Sequence, residues 1–233
     1  MARRTPVFIA CSPRPRVGKT LLARLLTEFY HVDKRPVAAF DVNPNEFMLV
    51  DYLPRYTAVA SISDTPGQIA LFDQLIVADE VAKVVDLGYA SFNPFFTLMR
   101  EIDFVYEARR RSIEPVILFL ADPDKRTAQA FAMLRERHGD ISAVLVHNEG
   151  ITKGDLYLEK YPAGRNIPVL RLPSLTPVVR GIIDKPSFSF AEFWAKPVDN
   201  PTEIHIWLKR IFVEFRELEL RFLLEALRFS LQF

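Results

Sequence analysis

Hydrophobic positions along the chain follow two alternating patterns. Six mainly apolar runs, each short enough for one buried strand, lie at residues 6–11, 37–40, 81–85, 115–121, 141–146 and 167–172. Helical spacing and helix start signals lie between them, at residues 18–30, 64–76, 93–111 and 125–137. Apolar strands that alternate with helices predict an α/β fold, a doubly wound and mostly parallel sheet with helices on both faces.

Residues 202–233 predict a further, C-terminal helix. Its apolar positions near helical spacing are Ile204, Trp207, Leu208, Ile211, Phe212, Phe215, Leu218, Phe222, Leu223 and Leu227. One interpretation packs this helix on the sheet, and the other uses its wide apolar stripe for a homodimer or a protein partner. We expect residues 1–190 to form one α/β domain and residues 191–233 a helical appendage packed on it.

Composition narrows the class of protein. The length of 233 residues suits one large domain, and a formal net charge of +1 gives no overall preference for nucleic acid or an anionic membrane. The single cysteine excludes a disulfide framework within one chain and suits a reducing compartment. The sequence shows no secretory apolar segment and no run long enough for a membrane span, so we expect a cytoplasmic protein.

The most specific motif joins the first predicted strand to the first predicted helix, and reads Pro13-Arg14-Pro15-Arg16-Val17-Gly18-Lys19-Thr20. It fits the phosphate-loop pattern G-x-x-x-x-G-K-[ST], with proline in place of the first glycine. Backbone N–H groups from Arg16 to Thr20 can surround a β-phosphate at the positive end of the helix. Lys19 would reach the β- and γ-phosphates, and Thr20 would hold Mg²⁺. The competing interpretation is a chance Gly-Lys-Thr at a helix start.

This loop resembles the deviant Walker A loop, K-G-G-x-G-K-[ST], of the ParA/MinD family of partition and positioning ATPases. Arg14 stands where that family has its signature lysine, and Pro15 and Arg16 stand where it has two glycines. The order of elements is also similar over about residues 5–185. The resemblance implies a P-loop nucleotide-binding domain at residues 1–190, with ATP and Mg²⁺ as its ligands, contacted by Arg14, Arg16, Val17, Gly18, Lys19 and Thr20.

The ends of three later strands extend the resemblance. Asp41-Val42-Asn43-Pro44-Asn45 is similar to the family's D-x-D-P segment, and Asp86 matches its Walker B aspartate. The resemblance implies that Thr20, Asp41 and Asp86 hold the metal and its waters. Asn148 matches an asparagine that reads the adenine edge, although a turn residue that closes a strand is the alternative. The lysine and aspartate of a guanine-reading N-K-x-D motif do not follow it, which favours adenine.

Two departures from the family pattern affect the expected chemistry. Asn43 replaces the second acid of D-x-D-P, and an amide can hold a water molecule but cannot take its proton. With Lys19 and Asp41 as the other reaction residues, hydrolysis is therefore expected to be slow or absent. Arg14 keeps the positive charge of the signature lysine and adds a planar fork suited to phosphate oxygens.

Three polar clusters have simpler interpretations beside functional ones. Asp64-Thr65-Pro66-Gly67-Gln68 resembles a GTPase switch, but a helix cap explains it without a ligand. Asp122 and Asp124 follow the fourth predicted strand and cap the next helix or join the site. Arg109-Arg110-Arg111 forms a solvated helix end or, less favoured, a contact with DNA.

These observations leave three hypotheses for the function. The first is a nucleotide-dependent switch that binds ATP with Mg²⁺ and changes its dimerisation or partner contacts. The second is an ATP-dependent small-molecule synthetase or kinase resembling dethiobiotin synthetase. The third is a degenerate scaffold that has kept the fold without hydrolysis. ATPase activity remains an open question on the sequence.

Overall fold

A single parallel sheet forms the centre of the molecule. The computed structural model describes residues 4–43, 48–152, 161, 167–197 and 199–230, the last six by their backbone. Within these ranges the strands are β1 (Thr5–Cys11), β2 (Val37–Val42), β3 (Thr57–Val59), β4 (Ala82–Leu87), β5 (Ile113–Ala121), β6 (Ser142–Asn148) and β7 (Val169–Leu172). Their order across the sheet is β3-β2-β4-β1-β5-β6-β7, and every pairing is parallel.

Helices cover both faces of this sheet. Within the described ranges they are α1 (Lys19–Val32), α2 (Leu49–Tyr52), α3 (Thr65–Leu75), α4 (Phe92–Glu101), α5 (Phe104–Arg110), α6 (Lys125–Arg137), α7 (Glu149–Thr152), α8 (Pro177–Ile183), α9 (Phe190–Trp194) and α10 (Glu203–Ser230). Strand residues alternate between two buried clusters, so that Phe8 belongs to the cluster that includes α1 and α10, while Ile9 belongs to the one that includes α3 to α6. The predicted doubly wound α/β fold is confirmed.

Two predicted elements differ from the structure. The single helix expected over residues 93–111 is two helices, α4 and α5, separated at Asp103, whose φ is 50°. The sheet has a seventh strand, β3, which pairs with β2 at one edge. The sequence from 58 to 63, a mixture of small and polar residues, gave no strand signal for it.

The C-terminal helix α10 packs on the face of the sheet that carries α1. Phe29 of α1 lies 5.2 Å from Phe212 and 5.4 Å from Phe215 between ring centroids. Trp207 donates a hydrogen bond from Nε1 to the Pro173 carbonyl at 2.7 Å. The contacts of α10 therefore agree with the interpretation in which this helix packs on the domain. The domain division at residue 190 remains a prediction. No described helix combines the length and the apolar character needed to cross a membrane.

Ordinary helix capping accounts for two of the polar clusters. Asp64 accepts a hydrogen bond from Gly67 N at 2.7 Å, and Asp124 accepts one from Arg126 N at 2.8 Å. The arginines at the end of α5 are engaged by acids on the surface. Arg109 pairs with Glu114, and both Arg110 and Arg111 pair with Glu107.

Candidate phosphate-binding site

The predicted phosphate loop leaves the central strand β1 and enters α1. Lys19 is the first residue of α1, and Gly18 before it has a φ of 100° and a ψ of 21°. A Cβ at Gly18 would collide with Nδ2 of Asn148, so this position requires glycine both for its backbone and for its neighbour. Arg16 also has a positive φ, 58°. The loop thus turns tightly at the N-terminal, positive end of a 14-residue helix.

Lys19 lies inside this turn. Its residue is 7% exposed, and Nζ donates a hydrogen bond to the Arg14 carbonyl at 2.8 Å. Burial lowers the pKa of the Lys19 ammonium, and the nearby charge of Asp86 opposes that shift. The loop therefore holds a poorly hydrated cation against its own backbone, which is the kind of group that phosphate oxygens neutralise.

Sheet register brings the two predicted acids together. Asp41 of β2 stands directly opposite Asp86 of β4, and Asp86 in turn stands opposite Ala10 of β1. Both carboxylates are fully buried. The Thr20 hydroxyl donates to Asp86 Oδ2 at 2.7 Å, which links the start of α1 to this pair.

Asp86 carries an unsatisfied buried oxygen. No described residue makes a hydrogen bond to its Oδ1. Burial raises the pKa of Asp86 to about 7; the Thr20 hydrogen bond opposes this shift, and the charge of Asp41 adds to it. A cation beside Oδ1 would satisfy this atom and favour the ionised carboxylate.

Asp41 has its oxygens occupied by the protein itself. Oδ2 accepts from the backbone N–H groups of Met48 at 2.9 Å and Leu49 at 2.8 Å, so it caps α2. Oδ1 accepts from Asn43 Nδ2 at 2.7 Å. Asn43 Nδ2 also lies 3.4 Å from the Asp86 carbonyl, and a Cβ on Gly88 would come within 2.6 Å of Asn43 Oδ1. Asn43 thus sits in a fixed position between the two acids.

The residues present fit a magnesium ion that is shared with a phosphate ligand. Among the described residues, no group of three or more histidine, cysteine or acidic side chains could hold a metal ion. Mg²⁺ commonly uses one or two carboxylates, several waters and the phosphates of a substrate. Thr20 and Asp86 supply such a partial set of oxygens, and the predicted role of Asp41 would require it to act through water molecules.

Arg14 and Asn148 face partners other than the cleft. Arg14 Nη1 lies 2.6 Å from Asp124 Oδ2, and its Nε lies 3.6 Å from Asp122 Oδ2. Asn148 is buried and donates from Nδ2 to the Val17 carbonyl at 3.1 Å. The predicted contacts of these two side chains with a nucleotide therefore remain predictions. In the structure, these side chains connect the loop to Asp124 and to the end of β6.

A cleft of ≈ 660 Å³ opens in front of Lys19 and Thr20. Its lining includes the predicted residues Arg16, Gly18, Lys19, Thr20 and Asn43. It also includes residues that sequence reasoning missed, among them Arg24, Tyr52, Arg180 and Asp184.

Arg24 is the missed residue for which a sequence signal exists. It is 2% exposed and pairs with Glu28 through Nε at 3.2 Å. Its Nη1 donates to the Ile183 carbonyl at 2.6 Å, and its Nη2 donates to the Phe188 carbonyl. An arginine and a glutamate four residues apart on an apolar helix face indicate a buried pair. Nothing in the sequence points to Arg180 or Asp184. They line the cleft because α8, which contains Arg180 and ends just before Asp184, lies beside it.

Two solved structures show a distant similarity to this chain. Neither a protein-family model nor a curated protein matches it. A nucleotide-binding protein from Archaeoglobus fulgidus, solved in complex with ADP, is 13% identical, with a TM-score of 0.48 over 83% of this chain and 92% of that chain. FtsY from Mycoplasma mycoides is 12% identical, with a TM-score of 0.45 over 81% of this chain and 69% of that chain. Similarities at this level carry no inference about activity.

Proposed function

We propose that this protein binds a nucleoside triphosphate, ATP, together with Mg²⁺, and acts as a nucleotide-dependent switch with slow or absent hydrolysis. One observation supports the proposal most directly. Lys19, Thr20 and the unsatisfied Oδ1 of Asp86 lie together beyond the C-terminal end of β1. A positively charged ammonium, a hydroxyl and a carboxylate in this arrangement are the groups that a magnesium-bound polyphosphate needs.

Each group has a distinct part in binding. The loop amides from Arg16 to Thr20 and the positive end of α1 would hold the β-phosphate, while Lys19 would exchange the Arg14 carbonyl for phosphate oxygens. Thr20 and Asp86 would hold Mg²⁺, which neutralises phosphate charge when it is bound. We assign the adenine base to the side of the cleft near Asn148, in line with the missing guanine-reading motif.

Two features support slow or absent hydrolysis. The side chain between the two acids is the amide of Asn43, which cannot accept a proton from an attacking water. The neighbouring Asp41 carboxylate already accepts hydrogen bonds from Asn43 and from the first turn of α2. Neither side chain therefore offers a free general base.

A second candidate is the synthetase or kinase. The cleft extends beyond the phosphate loop to Tyr52, Arg180 and Asp184, which leaves room for an acceptor molecule beside the terminal phosphate. Sedimentation with and without Mg–ATP separates the two candidates, because a switch should self-associate or bind a partner according to its nucleotide. A synthetase should remain in one state of assembly. A degenerate scaffold should bind nucleotide without self-association and without a change in partner binding.

Thermal unfolding in the presence of Mg–ATP, Mg–ADP and Mg–GTP tests the binding proposal. At a hundredfold excess over the dissociation constant, ATP should stabilise the protein by about 2.7 kcal/mol. Lys19→Ala should abolish the shift, whereas Lys125→Ala, on the exposed first turn of α6, should keep it. The proposal fails if no nucleotide shifts the midpoint, or if Lys19→Ala responds as the unaltered protein does.

A further inference from the structure

A second, larger cavity lies away from the phosphate loop, between β7, α9 and the first half of α10. Its volume is ≈ 810 Å³, which is within the range of sites for drug-sized ligands. We call it the α10 groove. Its lining residues are Glu149, Arg171, Pro173, Trp194, Lys196, Pro201, His205, Ile206, Lys209, Arg210, Val213 and Glu214.

The floor of the α10 groove is apolar and open to solvent. Ile206 and Val213 are spaced seven residues apart on α10 and are 48% and 46% exposed, and Trp194 of α9 is 37% exposed. Ile206 and Val213 lie on a different stripe of α10 from Leu208 and Phe215, which are buried in the core. The helix thus has one apolar stripe packed on the domain and a second that faces the groove.

The charged lining of the α10 groove is mainly basic. Arg171, Lys196, Lys209 and Arg210 are exposed, and none of them forms an ion pair with another described residue. The acids at this surface are Glu149 and Glu214. Glu214 is already engaged, because its Oε2 accepts from the Arg171 backbone N–H at 3.3 Å. The groove therefore favours a negatively charged occupant.

His205 adds a buried ring nitrogen that has no partner among the described residues. Its Nδ1 lies 2.8 Å from Thr202 Oγ1 and 3.3 Å from the Thr202 backbone nitrogen, so Thr202 occupies that side of the ring. No described residue makes a hydrogen bond to Nε2, although this atom is buried. A polar ligand atom that formed a hydrogen bond with Nε2 would remove the cost of leaving this buried atom unpaired.

We propose that the α10 groove is a second binding site, which takes a small amphipathic anion. An apolar or aromatic body would lie on Ile206, Val213 and Trp194, and a carboxylate, sulfonate or phosphate would lie against Lys209 and Arg210. This site is separate from the proposed nucleotide cleft, since the described linings of the two share no residue.

Two matched fluorescent probes test this proposal, anilinonaphthalene sulfonate and its uncharged analogue phenylnaphthylamine. We expect the sulfonate to bind with one-to-one stoichiometry. The exposed double variant Lys209→Glu/Arg210→Glu should weaken sulfonate binding about tenfold or more while it leaves the uncharged probe nearly unchanged. Ile206→Ser/Val213→Ser should weaken both probes, because it removes the shared apolar contact.

Two controls separate the α10 groove from other surfaces. Arg110→Glu/Arg111→Glu makes the same change of charge at the end of α5 and should leave sulfonate binding intact. Lys19→Ala should also leave it intact, so the result does not depend on nucleotide binding. The proposal is overturned if the sulfonate binds the Lys209→Glu/Arg210→Glu protein as tightly as the unaltered one, if Lys19→Ala abolishes binding, or if binding is not saturable. An unchanged unfolding midpoint would confirm that each variant is folded.

Discussion

At the scale of single residues, Gly18 combines a positive φ with the close approach of Asn148. We expect Gly18→Ala to lower the free energy of unfolding by about 1–3 kcal/mol, because alanine is strained at a φ of 100° and its Cβ meets the Asn148 amide. Urea unfolding measures the change. The matched control is Gly181→Ala in α8, where a Cβ meets nothing within 4 Å. It should be neutral or stabilise by up to about 1 kcal/mol. Equal losses in both variants would contradict the argument.

His138 gives a prediction about pH. Burial lowers the pKa of His138, the charge of Asp140 opposes this shift, and Arg100 adds to it. The unfolded chain therefore takes up a proton near the ordinary value of about 6.5, before the folded protein does. By linkage, the free energy of unfolding should fall as pH drops through that value.

The measurement is urea unfolding between pH 5 and pH 8, expressed as the difference between His138→Gln and the unaltered protein. Glutamine does not titrate, so the variant should lack this part of the pH dependence. Parallel pH profiles for the two proteins would show that His138 does not contribute.

Several site residues could be predicted at this scale, and their partners could not. The phosphate-loop motif indicated Lys19 and Thr20, and the resemblance to the family's Walker B aspartate implied Asp86. The structure brings Thr20 and Asp86 into contact where neighbouring parallel strands end. The contact of Arg14 with Asp124 depends on where β5 ends in space. Nothing in the local pattern of either segment carries that information.

At the scale of elements, the buried pair on α1 fixes that helix to the segment around α9. Glu28 Oε2 accepts from Ser189 Oγ at 2.7 Å and from Ala191 N at 2.8 Å, while Oε1 pairs with Arg24. We expect Glu28→Gln to cost about 3 kcal/mol or more, because it leaves the Arg24 charge buried without its partner.

Chemical denaturation tests this value against an exposed ion pair. Glu107 pairs with Arg110 and Arg111 on the surface of α5. Glu107→Gln should therefore lower the free energy of unfolding far less than Glu28→Gln does. A loss of similar size for the two variants would show that burial of the α1 pair has little energetic effect.

Element boundaries were predictable where the pattern was long and failed where it was short. The six apolar runs contain enough residues to identify buried strands, whereas β3 has only three residues, at the edge of the sheet. The break between α4 and α5 lacks glycine and proline. The break depends on a positive φ at Asp103. Aspartate adopts this conformation more readily than most residues do, but an aspartate in the sequence does not by itself predict it.

At the scale of the whole molecule, α10 shares one buried cluster with α1, α2 and the sheet. We therefore expect a single unfolding transition. Both tryptophans, Trp194 and Trp207, lie in or near α10, so their fluorescence reports on that region while far-UV circular dichroism reports on all helices. The two signals should coincide. Separate transitions would show that residues 191–233 form an independent unit.

A pair of substitutions on α10 measures its share of this stability. Leu208 is fully buried, and Leu208→Ala should lower the free energy of unfolding by about 2–5 kcal/mol. Val213→Ala, on the exposed stripe, should change it by no more than about 0.5 kcal/mol. Similar small effects at both positions would contradict the tight packing of α10.

The class of the fold followed from the sequence because alternating apolar strands and helices have few stable arrangements. The order of the strands, and the face of the sheet on which α10 packs, could not be predicted from the sequence. Both depend on which faces meet after the chain has crossed the sheet, and apolar periodicity is the same for either side.

If Lys19 binds phosphate as we propose, its hydrogen bond to the Arg14 carbonyl would compete with that phosphate. A carbonyl five positions away along the chain is present at high effective concentration, so a ligand with one weak anchor cannot displace it efficiently. The loop should therefore discriminate by the number of anchoring points and bind a polyphosphate in preference to inorganic phosphate. Occupancy would then follow the concentration of nucleotide more closely than that of inorganic phosphate.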